Sequence, residues 1–148
     1  MPIPSLNADG FLPEGIHDCT LDELEARFGQ FQDSDRRCRL FEKFREYVRE
    51  ARSSGVVKSL FVDGSFATGK PNPSDIDLIV ISLARELLPA TLRPAEYNAL
   101  SKRHIRRKFG MDVLLAQDGE MEVDEHVEFF SQVRNRPEVR KGLLRITL

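Results

Sequence analysis

Two cysteines in 148 residues, Cys19 and Cys38, are too few for a disulfide framework. A reducing cytoplasm is the simplest setting for such a chain. No apolar run approaches the ~18 residues that a membrane-spanning helix needs, so neither an integral membrane protein nor a membrane partner is expected. Met1-Pro2-Ile3-Pro4 lacks a basic n-region and an apolar h-region, so no signal peptide is expected either. Internal repeats and low-complexity tracts are also missing. The net charge is only -2 and the pI about 6.0, which is not the signature of a dedicated nucleic-acid binder. With 41% hydrophobic residues and so little net charge, intrinsic disorder is excluded.

What is present suits one domain over residues 1–148 with a sizeable core. The small net charge hides an asymmetry. Residues 1–35 carry eight acids and one base, Arg27, leaving 21 bases and 16 acids in the remainder. Lys102, Arg103, Arg106, Arg107 and Lys108 crowd into seven residues. Such a run is either a solvated helix face or a surface that meets phosphates.

Hydrophobic spacing divides the chain into 1–55 (a lead-in and helices), 56–117 (a core of strands) and 118–148 (a helix and a strand). Pro and Gly make residues 1–19 an irregular lead-in. Thr20-Leu21-Asp22-Glu23 has capping-box spacing and predicts a helix that buries Leu21, Leu24 and Phe28 and ends at Gly29. A second helix starts near Ser34 or Asp35. Leu40, Phe41, Phe44, Tyr47, Val48 and Ala51 form its apolar stripe, and Gly55 is its C-cap. The pattern then turns β-like, with strands expected over Val56–Val62, Asp75–Ser82, Met111–Ala116 and Leu143–Leu148. Helices are expected over Ala95–Lys108 and Asp124–Arg134, the second stopped by Pro137. This order predicts an α+β fold, a mixed sheet of about four strands with helices packed on it.

The chemistry is concentrated in the segment from Asp63 to Leu78. Asp75 and Asp77 are two residues apart on an expected strand and so share a face. Neighbouring carboxylates raise one another's pKa, and a cation is the usual balance. Mg²⁺ fits because it takes oxygen ligands and keeps waters for a phosphate-bearing substrate. Gly64-Ser65, at the end of the preceding strand, allows close backbone approach, and its N–H groups and hydroxyl can hold phosphate oxygens. Asp112, at the head of the next expected strand, supplies a third carboxylate. Three acids can hold two metals.

Gly64-Ser65, nine intervening residues and then Asp75-Ile76-Asp77-Leu78 resemble the nucleotidyltransferase superfamily that includes DNA polymerase beta. The resemblance covers about residues 56–117. The short length is similar to that of the minimal nucleotidyltransferases of bacteria. The stretch Gly10-Phe11-Leu12-Pro13-Glu14-Gly15-Ile16-His17 and the closing strand resemble a family of short, uncharacterised bacterial proteins placed near that superfamily. The resemblance implies transfer of a nucleoside monophosphate from an NTP, ATP among them, to an acceptor hydroxyl, with release of pyrophosphate. Gly64 and Ser65 would hold the triphosphate, with Lys70 helping to neutralise it. Asp75 and Asp77 would bind two Mg²⁺ ions. Asp112 would bind the catalytic one and help deprotonate the acceptor. The acceptor is a small molecule, an RNA or a protein. Asp63 departs from the pattern, which has an apolar residue before the Gly.

Other readings stand beside this one. One is a non-catalytic partner in a toxin–antitoxin or defence pair, because the 31 residues after Gln117 are too few for the helical domain that larger relatives add. A partner protein or a homodimer would then complete the site. The basic run would instead make a nucleic-acid binding module. Gly64-x-x-x-x-Gly69-Lys70 mimics a P-loop, but Pro71 supplies no hydroxyl and Pro71-Asn72-Pro73 cannot continue a helix. His17, Asp18 and Cys19 make at most half a zinc site, without a second half at ligand spacing. His104 and His126 are expected at the surface, and Cys38 in a structural role.

Overall fold

The computed structural model describes residues 3–29, 35–70, 73, 75–133 and 136–148. The capping box forms as its spacing predicts. Glu23 N–H donates to Thr20 Oγ1 (3.1 Å) and Thr20 N–H to Glu23 Oε1 (2.9 Å), starting helix α1, Leu21–Phe28. Helix α2, Arg36–Ser54, buries Phe41, Phe44, Tyr47, Val48 and Ala51, with Leu40 at the margin of the stripe. Gly55 caps it with φ +73°, a conformation that costs glycine nothing. The alternative start at Ser34 lies outside the described residues.

Five strands make a mixed sheet: β1 (Ile16–Asp18), β2 (Val57–Asp63), β3 (Asp77–Ser82), β4 (Asp112–Gln117) and β7 (Leu143–Thr147), in the order β1-β7-β2-β3-β4. β1 is parallel to β7 and β3 to β4, while β2 is antiparallel to both its neighbours. This is the α+β architecture expected, with helices on a mixed sheet and one strand more than the predicted four. The extra strand, β1, lies in the lead-in expected to be irregular. A second small sheet pairs β5 (Gln132–Val133) with β6 (Arg136–Arg140).

Period-2 alternation gives the sheet two apolar faces. Leu60, Val62, Leu78, Val80, Val113, Leu144 and Ile146 belong to the larger core, with α1 and α2. Two further helices pack on that side, α3 (Pro94–Ala99) and α4 (Lys102–Phe109). Phe61, Ile79, Ile81, Ala116 and Leu143 form a second core under Val123, Val127 and Phe130 of helix α5, Met121–Ser131.

Three boundaries depart from the sequence reading. The helix expected over Ala95–Lys108 is two helices. Ser101 breaks it by accepting at its Oγ the N–H of His104, 3.2 Å away, so a side-chain cap outcompetes continuation. The last helix begins three residues earlier than expected and ends at Ser131, where the chain enters β5. Asp75 precedes its strand rather than lying in it. Among the described residues no helix is long and apolar enough to cross a membrane.

Candidate functional site

Strand register decides which acids meet. Asp77 pairs with Asp63 across β2–β3 and with Asp112 across β3–β4. Residues in register share a face, so these three carboxylates form a row across three strands. The row lies on the α5 side, one alternation beyond Phe61, Ile79 and Leu114 of the second core. Asp75 approaches the same point from the chain leading into β3. One carboxylate oxygen each from Asp75, Asp77 and Asp112 lies within 4.8 Å of the others. Asp75 and Asp77 are half-buried and Asp112 is exposed.

Asp77 feels this crowding. Burial, then the charges of Asp75, Asp63 and Asp112, push its pKa up to about 6, against a pull from Lys141. Asp63 is the member that the sequence reading left out of the site. It is buried, and burial pushes its pKa up to about 6, opposed by Lys141 and the Gly64 backbone. Lys141 Nζ lies 3.1 Å from Asp63 Oδ2. At the other end of the row, Arg106 Nη1 lies 3.0 Å from Asp112 Oδ1. A cation therefore brackets each end of the row.

Gly64 shows why this turn needs glycine. Its φ is +84° with ψ −176°, a region essentially closed to other residues. A Cβ there would sit 3.0 Å from both the Asp77 N and Asp77 Oδ2. The turn continues into a short 3₁₀ segment, Ser65–Ala67. Ser65 is half-buried and Lys70 exposed.

Behind the turn lies a residue that no sequence pattern marks. Arg37 of α2 is wholly buried, and burial lowers its pKa to about 10. Its guanidinium donates to the carbonyls of Phe28 (3.2 Å), Phe66 (2.6 Å), Thr68 (2.7 Å) and Lys70 (2.6 Å). One planar fork thus fixes the loop from Phe66 to Lys70. On the other side, Gly69 N–H donates to Gly10 O (3.0 Å), which ties the N-terminal turn Asn7–Phe11 to the same loop.

These elements enclose an open cleft of about 1520 Å³. The carboxylates and the Gly64-Ser65 turn line it, with Lys70 at its rim; the N-terminal turn and Phe129, Phe130, Pro137, Arg140 and Lys141 form its walls. All six sequence-predicted residues, Gly64, Ser65, Lys70, Asp75, Asp77 and Asp112, line this one cleft. Phe129 projects a ring that is 63% exposed. Arg140 in the same wall is engaged by Glu14 and Glu128.

The remaining candidates fall elsewhere. His17 bonds Pro13 O (2.7 Å), Arg145 holds Asp18 in a two-bond fork, and Cys19 is buried with its thiol pushed up to about 12. Two members of the imagined zinc half-site are thus engaged elsewhere, and the third is a buried thiol that burial holds protonated. His104 is not a surface residue. Its ring is half-buried, 2.9 Å from Glu50 and edge-on to Phe109. His126 is likewise half-buried, 3.0 Å from Leu115 O. Cys38 is exposed rather than structural. Within the basic run, Lys108 pairs with Glu50 and Arg106 with Asp112.

No curated protein and no solved structure matches the chain. The family described as "Family of unknown function (DUF6932)" matches residues 4–147, from the lead-in through the last strand, and the chain belongs to that family.

Proposed function

We propose that the chain is a Mg²⁺-dependent nucleotidyltransferase of the DNA polymerase beta type. It would move a nucleoside monophosphate from an NTP to an acceptor hydroxyl and release pyrophosphate. The observation that carries this reading is the convergence of Asp75, Asp77 and Asp112 within 4.8 Å, in a cleft that also holds the Gly64-Ser65 turn. The donor set suits the ion, because Mg²⁺ takes hard oxygen ligands and accepts one or two carboxylates plus phosphate oxygens. The pKa of Asp77, raised by burial and then by the neighbouring carboxylates, marks a charge that a divalent cation offsets. The three carboxylates would hold two such ions, whose chemistry is activation of the attacking hydroxyl and stabilisation of the leaving pyrophosphate.

The chain's own groups divide the remaining work. The Ser65 hydroxyl and the turn backbone meet phosphate oxygens, on a loop that Arg37 keeps in place. The Phe129 ring offers a flat apolar face for the base. Asp112, whose Oδ1 pairs with Arg106, would help to deprotonate the acceptor hydroxyl beside the ion it holds. At about 1520 Å³, the cleft exceeds the roughly 300–1,000 Å³ of ordinary small-ligand pockets, so a nucleotide and an acceptor fit side by side.

Calorimetric titration of each of the four NTPs in Mg²⁺, with Asp77→Asn as control, tests the reading. Micromolar binding of one NTP, about −8 kcal/mol, that the variant lacks is the expected result, followed by pyrophosphate release once an acceptor is supplied. Transfer that survives Asp77→Asn would sink the mechanism.

A further inference from the structure

Lys141 stands between β6 and β7, in the wall of the cleft. Its side chain is 16% exposed and that of its partner Asp63 only 6%. Such a buried pair adds little net stability, because desolvation cancels most of the attraction. Two well-packed apolar side chains would join β2 to the β6–β7 connection as well or better. The reason for a charged pair is therefore to be sought in what the charges face.

Asp63 is the last residue of β2 and Gly64-Ser65 follows it directly. The ammonium that Asp63 holds thus lies at the root of the turn, at one end of the carboxylate row. An ammonium has three N–H donors, and Asp63 Oδ2 lies 3.1 Å from the nitrogen that carries them. A polyphosphate entering this cleft meets four carboxylates, those of Asp63, Asp75, Asp77 and Asp112. Even with divalent ions present, its oxygens need a fixed positive group among those acids. Arg140 is engaged by Glu14 and Glu128. Lys70 is exposed at the rim, where a long side chain surrenders its rotamer freedom on binding. Lys141 has already surrendered its own.

We propose that Lys141 is the polyphosphate-binding cation of the cleft, and that Asp63 is the positioning residue that fixes its ammonium at the root of the Gly64-Ser65 turn. The proposal rests on the reading of the cleft as a cation–polyphosphate site. It adds to that site a residue from outside the 56–117 segment and gives Asp63, the departure from the sequence pattern, a purpose.

Two titrations of the full chain test it, Mn²⁺ alone and inorganic pyrophosphate at saturating Mn²⁺. The principal variant is the double change Asp63→Asn with Lys141→Met, which removes both buried charges together and leaves the local net charge unaltered. Its Mn²⁺ affinity is expected within about twofold of the unaltered chain. Its pyrophosphate affinity is expected to fall about tenfold or more, the worth of a charge-assisted contact. Lys141→Gln, whose amide still donates to Asp63, gives the same fall and serves if the double variant does not fold. Asp63→Asn alone, with the ammonium present but unheld, gives an intermediate fall. Unchanged pyrophosphate binding in the double variant overturns the proposal. Parallel loss of Mn²⁺ and pyrophosphate also overturns it, since that marks a structural role alone. Unchanged binding in Asp63→Asn removes the positioning role. An unaltered chain that binds Mn²⁺ but no pyrophosphate removes the role of Lys141 and leaves the metal site standing, whereas one that binds neither overturns the reading of the cleft and the proposal with it.

Discussion

Asp63 and Asp112 end the same row of carboxylates, each beside a cation, yet they live in different surroundings. The Asp63–Lys141 pair is closed in, at 6% and 16% exposure, whereas Asp112 and Arg106 are each 60% exposed. The difference lies in position. Asp63 is on β2, with β7 on one side and β3 on the other, while Asp112 is on β4 at the sheet's edge. Water screens the outer pair, so it can exchange partners at little cost. Water screens the inner pair far less, so losing one partner strands a charge. Identical chemistry thus yields a fixed device at one end of the row and an exchangeable one at the other.

Breaking the middle of the row has the largest expected effect. Asp77→Asn removes the carboxylate common to both register pairs. The proposed nucleotidyl transfer and divalent-ion binding are expected to vanish together, as read by a pyrophosphate-release assay and Mn²⁺ titration. The two ends should then respond unequally. Lys141→Met alone leaves Asp63 buried without its cation and should cost about 3–5 kcal/mol at neutral pH, read by urea unfolding. Gly64→Ala forces a side chain into a φ of +84° and against Asp77. It should cost about 1–3 kcal/mol and weaken Mn²⁺ binding by displacing that carboxylate.

A pH series sharpens the contrast between the middle of the row and its exposed end. Asp77 is raised to about 6 from an ordinary 3.8, so the folded chain binds that proton more tightly than the unfolded one. Its contribution to stability is therefore lost as pH rises from about 4 through 6. The melting temperature of the unaltered chain should fall more steeply across that window than that of Asp77→Asn, and Mg²⁺ added at pH 7 should restore part of the difference. The smallest effect belongs to the exposed end. Arg106→Met should change stability by less than about 1 kcal/mol while raising Mn²⁺ affinity a few-fold, because Asp112 loses a competing cation.

The helical elements were legible where their signals were local. Thr20 and Glu23 announce the start of α1, the apolar steps from Phe41 to Ala51 trace the buried stripe of α2, and Gly55 marks its end. Five of the six candidate residues were legible for a similar reason: Gly64-Ser65 and Asp75-x-Asp77 are short-range patterns, and Asp112 heads a recognisable strand. Ser101 was misread because a cap and a mid-helix serine look alike until the backbone turns. β1 was missed because three residues beside Gly15 carry too short an alternation to read; their strand exists through pairing with β7, 127 residues away at Asp18–Arg145.

The sequence by itself determined the amphipathic helices, the strands of the core and the types of side chain brought to the cleft. Those follow from the 3.6- and 2-residue periods and from local backbone chemistry. Only the tertiary structure decided that Asp63 stands in register with Asp77 and Asp112, that Lys141 and Arg106 bracket the row, and that Arg37 holds the loop behind it. Register, burial and long-range ion pairing depend on which strands become neighbours. A carboxylate's charge and partners are set by that neighbourhood rather than by the residues beside it in the chain.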